Sequence, residues 1–260
     1  MKCIQLGDTA TLKKVKDGDG KIFILAEGFL TEDNTHEDYK HWFDEIESRY
    51  PDARMYRIFW AAKSKRNAEA QVKRAMSIRP FSLASAILGG TFNSWWREAK
   101  VEADLTGQEL GKFLEAQENS SEVILLGHSL GGRLLIRCME YLANRPSVEL
   151  EAIIIAGSAI ADSEIAWDKN KVFSTTKQAF NIFSTNDQVL KYLFRIGDEE
   201  MQDQIRSFNL KRLVACATIK SPIGLIGTSK LPFQNVDVSS SVPDHFLYAP
   251  MLGAIFEKIN

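Results

Sequence analysis

The sequence predicts an α/β fold in which a mostly parallel central sheet carries helices on both faces. Short apolar runs alternate along the chain with longer segments whose apolar residues recur at helical spacing, which is typical of parallel strands joined by crossover helices. No linker, repeat or low-complexity tract divides the 260 residues. We therefore expect one domain over 1–260, with a lid or cap loop at about 157–176.

The predicted strands are short, rich in branched aliphatic residues, and bounded by turn-forming residues. Residues 1–20 predict a short strand, a polar bend and a second strand. Further strands are predicted within Lys21–Leu30, where the strand ends at Gly28, and at Ala53–Ala61, Val123–Leu126, Glu149–Ile160, Gln178–Thr185 and Phe233–Ser240.

The predicted helices carry apolar residues on one face, as Tyr39, Trp42, Phe43 and Ile46 do in the first of them. They are expected at about Glu37–Arg49, Lys65–Ser77, Asn93–Gln117 and Leu130–Ala143, then after a loop within 186–198, with a closing helix from Met251.

A short turn joins the strand that begins at Val123 to the helix that begins at Leu130. Gly127, Ser129 and Gly131 in this turn match the G-x-S-x-G nucleophile elbow, in which a strained turn presents a serine hydroxyl above the sheet. The alternative is a tight turn with no chemical role. The flanking strand and helix favour a nucleophile.

A serine nucleophile requires a base, and the sequence has four histidines. In the fold that uses this elbow, the chain order is serine, acid, histidine. His36 and His41 precede the serine, and His128 lies inside the elbow, where we expect it to face away. His245 is therefore the predicted base, and a solvated loop histidine is the alternative.

The acid is expected between the serine and the histidine, at the carboxyl end of a strand. Asp187 fits best, because a strand runs directly into the loop that contains it. The alternative is that Asp187 only caps a helix starting at Gln188. Asp198, Asp237 and Asp244 are weaker candidates.

The oxyanion of an acyl-transfer intermediate requires backbone N–H donors. In this fold one donor comes from the residue after the nucleophile, here Leu130, and the other from an early loop that follows a strand. "AEGFL" is the matching loop, and Phe29 or Gly28 is the predicted donor. The alternative is that Gly28 merely turns the chain.

Composition excludes several classes of partner and site. The net charge of −2, with charges of both signs, argues against nucleic-acid binding and against a polybasic membrane anchor. The three cysteines are scattered and form no C-x-x-C pair, so we expect neither disulfides nor a metal site, and no cofactor.

The N-terminus lacks an apolar leader and no apolar run is long enough to span a bilayer, so we expect a cytoplasmic protein without a transmembrane segment. A secreted effector without a cleavable leader is the alternative.

These residues resemble the α/β-hydrolase superfamily and, within it, the family of unknown function that contains the transmembrane and coiled-coil domain hydrolase-like proteins. The resemblance rests on "GFL", "AKVEADLTGQELGKFL", "GHSLGGRLL", "STNDQVLKYLFR" and "QNVDVSSSVPDHFLY", and it spans about Lys21–Tyr248. It implies the same Ser129, Asp187 and His245. Relatives often carry a long membrane-inserting segment where this chain has "FSLASAILGG", so peripheral membrane contact stays open.

The expected activity is hydrolysis of a carboxylic ester. Apolar residues in the predicted lid favour a lipid or long-chain ester, although they serve equally to pin the loop to the core: Ile160, Ile165, Trp167 and Phe173. Acyl transfer is one alternative. The other is a catalytically weak binding or scaffold protein, because Glu27 stands where many lipases have a histidine, and an unpaired carboxylate there would disfavour an oxyanion.

Overall fold

The computed structural model describes residues 3–8, 10–63, 91–117, 120–143, 145, 148–167, 174–194, 221–230 and 232–259. The following parts of the predictions lie outside these ranges: the helix at Lys65–Ser77, the segment "FSLASAILGG", residues 168–173 of the lid, which include Phe173, and Asp198.

The described residues form an eight-stranded sheet with the order β1-β2-β4-β3-β5-β6-β7-β8. Its strands are β1 (Cys3–Leu6), β2 (Ala10–Lys16), β3 (Ile22–Ala26), β4 (Arg54–Phe59), β5 (Val123–His128), β6 (Leu150–Ala156), β7 (Thr176–Phe183) and β8 (Gln234–Asp237). The first two strands form an antiparallel hairpin, and β2 pairs antiparallel with β4. All the other pairings are parallel, so the carboxyl ends of β3 to β8 lie at one edge of the sheet.

Helices cover both faces of the sheet, as predicted. The described helices are α1 (His36–Arg49), α2 (Thr91–Glu115), α3 (Leu130–Leu142), α4 (Ile223–Ile226) and α5 (Leu252–Lys258). On one face α2 and α3 pack with Ile24, Leu125 and Ile153. On the other face α1 and α5 pack with Phe23 and Leu126. The central strands are therefore apolar on both sides, which explains their unbroken hydrophobic runs.

This arrangement confirms the predicted α/β-hydrolase fold, in which a serine turn follows a central parallel strand. Several predicted bounds differ from the structure. Strand β3 ends at Ala26, two residues before the predicted Gly28. Strand β5 continues past Leu126 to His128, because parallel pairing with β6 extends that far. Within 186–198, where a loop and an apolar helix are predicted, the described residues form a π-helical turn at Val189–Leu193.

Candidate active site

Ser129 occupies a strained turn between β5 and α3. Its φ of 57° and ψ of −120° lie in a region that non-glycine residues rarely adopt. Three backbone hydrogen bonds hold it there: Ser129 donates to the Ala156 carbonyl at 3.1 Å, and its own carbonyl accepts from Gly132 and Ala159, each at 3.0 Å. This is the geometry that the elbow motif predicts.

Two glycines permit the close packing around this turn. A Cβ on Gly131 would lie 1.8 Å from the Ala26 carbonyl oxygen, so only glycine lets α3 approach the end of β3. A Cβ on Gly28 would lie 2.5 Å from the Ser129 Cβ. The lack of a side chain at Gly28 therefore lets the loop after β3 pack against the serine side chain, whether or not Gly28 also turns the chain.

Asp187 and His245 form a buried hydrogen-bonded pair. Asp187 follows β7 and is fully buried, and His245 lies in a 3₁₀ turn after β8 with only 3% of its surface exposed. The His245 Nδ1 and the Asp187 Oδ2 are 2.6 Å apart. Because an ionised carboxylate can only accept, the Nδ1 carries the proton, and the neutral ring has its lone pair on Nε2.

The other oxygen of Asp187 serves the alternative role that the sequence left open. Asp187 Oδ1 accepts from the Leu190 backbone N–H at 2.9 Å, at the start of the turn Val189–Leu193. The carboxylate thus caps this turn and orients His245 at the same time. The two interpretations of Asp187 are compatible.

His245 lies beside the elbow. The rings of His245 and His128, the residue before Ser129, have their centroids 4.6 Å apart. Within the described ranges, the Ser129 hydroxyl makes no hydrogen bond to the His245 ring. Hydrogen bonds between a base and a nucleophile are often long without substrate and tighten only in the bound state, so the contact of His245 with Ser129 stays a prediction.

His128 holds the loop that carries His245. Its Nε2 is 3.0 Å from the His245 carbonyl oxygen, an acceptor, so the Nε2 carries a proton. Burial lowers the pKa of His128 well below its ordinary value, and the neighbouring His245 lowers it further, while the hydrogen bond to the carbonyl opposes this shift. Chain order excludes His128 as the base, but it does not reveal this contact.

Glu27 is paired, which removes the objection to a carboxylate beside the oxyanion loop. Glu27 Oε2 accepts from Arg57 Nε at 2.5 Å, and Oε1 accepts from Asn34 Nδ2 at 3.2 Å. The Trp60 indole N–H donates to the Glu27 carbonyl at 3.1 Å. The sequence alone did not predict a role for Arg57. The feature that indicates one is a charged residue at an inward position of the alternating strand "RMYRIF".

The predicted oxyanion donors lie on two segments next to Ser129. Leu130 is the first residue of α3, where backbone N–H groups have no acceptor within the helix. Gly28 lies against the Ser129 side chain and precedes Phe29. The role of these three N–H groups as oxyanion donors stays a prediction.

The first part of the predicted lid is tied to the helices and to the loop before β8. Glu164 pairs with Arg133 of α3 at 2.7 Å, and Arg133 also pairs with Asp104 of α2. Asp162 accepts from the hydroxyls of Thr228 and Ser229. The lid itself stays a prediction, and residues 168–173 lie outside the described chain.

The apolar residues of this loop mostly pack inward. Ile160 and Ile165 belong to the core beneath α2 and α3, with no more than 2% of their surface exposed. The Trp167 ring stacks on Phe233 at 5.7 Å. For Ile160, Ile165 and Trp167, these contacts favour attachment of the loop to the core over lining of an acyl site.

Two of the weaker acid candidates have local partners. Asp237 accepts from Ser239, and Asp244 accepts from the Phe246 backbone N–H. Asp198 lies outside the described ranges. In the part of the chain that the structure describes, no cluster of histidine, cysteine or acidic side chains could hold a metal ion.

A family model described as "Protein of unknown function (DUF726)" matches residues 70–260. The chain belongs to this family. The DUF726 match covers the elbow, Asp187 and His245, and it confirms the family resemblance inferred from the motifs.

Two curated relatives are named as membrane proteins. The chain is 23% identical over 186 residues to an uncharacterized membrane protein of Schizosaccharomyces pombe, covering 71% of this chain and 29% of the relative. It is 24% identical over 185 residues to a transmembrane and coiled-coil domain-containing protein of Oryza sativa, covering 69% and 25%. This DUF726 chain thus spans between a quarter and a third of the length of these relatives. None of its described helices has the length and apolarity to cross a membrane.

Solved structures with similar folds include two hydrolase-family proteins. A predicted CIB-like hydrolase from Thermoplasma acidophilum aligns with a TM-score of 0.45 and 13% identity, covering 98% of this chain and 93% of that one. The alpha/beta hydrolase domain-containing protein 10 from mouse aligns with a TM-score of 0.43 and 12% identity, covering 100% and 99%.

Proposed function

We propose that the protein is a serine hydrolase that cleaves carboxylic esters through an acyl-enzyme on Ser129. The observation that carries this proposal is the buried Asp187–His245 pair beside a strained serine elbow. A carboxylate that fixes the histidine tautomer next to a serine is the arrangement that makes a hydroxyl nucleophilic at neutral pH.

In the proposed reaction, His245 Nε2 takes the proton from the Ser129 hydroxyl as its oxygen attacks the ester carbonyl carbon. Backbone N–H groups of Leu130 and of Phe29 or Gly28 stabilise the resulting oxyanion. His245 then gives the proton to the leaving alcohol, and the acyl group stays on Ser129. Water, activated by the same histidine, releases the acid and restores the serine.

Acyl transfer differs only in the last step, where another alcohol takes the place of water. The main argument for a binding or scaffold protein is an unpaired carboxylate at Glu27, and this carboxylate is paired with Arg57. A lipid or long-chain acyl group stays part of the proposal. A series of p-nitrophenyl esters of increasing acyl length measures that preference.

The proposal is tested with a fluorophosphonate probe, which reacts covalently with activated serines. We expect labelling of Ser129 in the wild type, none in Ser129→Ala, and ester turnover reduced by about 10⁴-fold or more in His245→Ala. Ser158→Ala is the matched control, because this buried serine follows the neighbouring strand β6. Labelling that persists in Ser129→Ala, or a folded wild type that does not react, contradicts the proposal.

We also propose a cytoplasmic location, with export of an effector as the alternative. Fractionation of cells that express the protein natively checks it. Recovery in membranes after an alkaline wash contradicts it.

A further inference from the structure

The loop between β3 and α1 carries the predicted donors Gly28 and Phe29, and one arginine ties it down at three points. Arg57 of β4 donates from Nε to the Glu27 carboxylate at 2.5 Å and from Nη2 to the Thr31 carbonyl at 2.9 Å. Its Nη1 lies 3.4 Å from the Asn34 carbonyl oxygen. A single planar group thus fixes the start, the middle and the end of the loop.

The guanidinium is buried between two aromatic rings. The Arg57 side chain is 1% exposed, and its charged carbon lies 4.3 Å from the Tyr39 ring centroid and 4.1 Å from that of Phe59. A charge buried between two rings requires a counter-charge, and the Glu27 carboxylate supplies one. The ion pair and the loop shape therefore depend on each other.

The segment between these anchors is under strain. Leu30 has a φ of 66°, which a branched side chain rarely adopts, and its N–H donates to the Ala62 carbonyl at 2.8 Å. The Glu27 carbonyl is held by Trp60. Backbone of this kind persists only where its surroundings over-determine it.

We propose that Arg57 is a positioning residue that sets the direction of the Gly28 and Phe29 backbone N–H groups toward the oxyanion. It acts through Glu27, Thr31 and Asn34 and touches no substrate. This inference rests on the proposed function, because an oxyanion forms only if Ser129 attacks an acyl group. The charge of Arg57 is needed for burial with Glu27, and its fork of donors is needed for the two carbonyls.

The test compares Arg57→Lys with the wild type in ester hydrolysis. Lysine keeps the charge but cannot reach three acceptors from one plane. We expect kcat to fall by about tenfold to a hundredfold, less than the loss of a whole donor, with KM changed by less than about twofold. The rate of phosphonate labelling should fall in parallel, because the phosphoryl oxygen occupies the oxyanion position.

Phe256→Leu is the matched control for lost stability. Phe256 packs against Phe23 and Tyr50, away from the loop, so this variant should lose stability without losing kcat. A fall in kcat of equal size in Phe256→Leu, or an unchanged kcat in Arg57→Lys, overturns the inference.

Amide hydrogen exchange separates this inference from the proposed function. In Arg57→Lys we expect faster exchange in peptides covering 27–34, and no such change in Phe256→Leu. Unchanged exchange in Arg57→Lys overturns the inference even if Ser129 is reactive. If wild-type Ser129 proves unreactive, the proposed function fails, and with it the oxyanion role of Arg57.

Glu27→Gln serves if Arg57→Lys does not fold. It keeps the side-chain shape and removes the counter-charge. We therefore expect kcat to fall by about threefold to tenfold, again with little change in KM. An unchanged kcat in Glu27→Gln then overturns the inference.

Discussion

Two loops meet at the carboxyl edge of the sheet beside Ser129, and arginines hold them in different ways. The loop 27–34 depends on Arg57 and Glu27, whose side chains are 1% and 6% exposed. The loop 157–167 depends on Arg133 and Arg137, whose acidic partners Asp104 and Glu164 keep 29% and 32% exposure.

The comparison indicates that burial of the partners, more than the number of ion pairs, determines how much stability is lost when a pair is broken. A half-solvated carboxylate that loses its partner is rehydrated at small cost, whereas a buried one is not. The first loop should therefore respond to single substitutions far more strongly than the second. Four measurements test this contrast.

Removing the buried arginine should have the largest effect. Arg57→Met leaves the Glu27 carboxylate buried without its counter-charge, so we expect a loss of about 3–5 kcal/mol in the free energy of unfolding. Urea denaturation measures it. In the double variant Glu27→Gln/Arg57→Met, much of the loss should be recovered, because no unpaired charge remains. A loss below about 1 kcal/mol in the single variant would show that water reaches the pair.

Removing the arginine of the second loop should cost less, although it makes more ion pairs. Arg133→Met loses bonds to Asp104 and Glu164, both of which can turn to water, so we expect about 1–2 kcal/mol. The same denaturation series provides the measurement. A loss equal to that of Arg57→Met would erase the contrast between the loops.

Acid should weaken the second loop through Glu164. Burial by itself raises the pKa of Glu164, but Arg133, the Ala161 N–H and Lys100 outweigh it, so the pKa lies below its ordinary value of 4.5. The stabilisation is therefore present above pH 4.5 and is lost as pH falls through the folded-state pKa. The stability difference between wild type and Glu164→Gln should shrink below pH 4.5, and a constant difference down to unfolding would contradict this.

The smallest effect is expected at an exposed pair, which calibrates the scale. Lys16 contacts Glu47 at 2.7 Å, and the two side chains are 27% and 54% exposed. We expect Lys16→Met to change the free energy of unfolding by no more than about 0.5 kcal/mol. A larger loss would mean that side-chain exposure does not predict the energetic effect of losing an ion pair in this protein.

The sequence predicted Ser129, Asp187 and His245 because each depends on local pattern or chain order. The serine follows from glycine spacing between a strand and a helix, and the histidine from being the only one after the serine. The structure brings the acid and the base together, and their catalytic roles stay predictions.

Arg57 could not be assigned from the sequence, although both of its signals were present. Its inward position in β4 and the carboxylate before Gly28 are visible in the sequence, but their pairing depends on β3 and β4 being neighbours. Strand order is set by the packing of the whole sheet and not by any one segment. The contact from His128 to the His245 loop was missed for the same reason.

The two oxygens of Asp187 accept separate hydrogen bonds, one from the turn after β7 and one from His245. Asparagine has nearly the same shape but offers a single acceptor, so it would have to turn an NH₂ group toward either the Leu190 N–H or the ring N–H. With the NH₂ toward Leu190, two donors would face each other. With the NH₂ toward His245, the ring could accept it only as the other tautomer, which moves the proton from Nδ1 to Nε2. A carboxylate at this position therefore fixes the tautomer of His245 as well as the turn after β7.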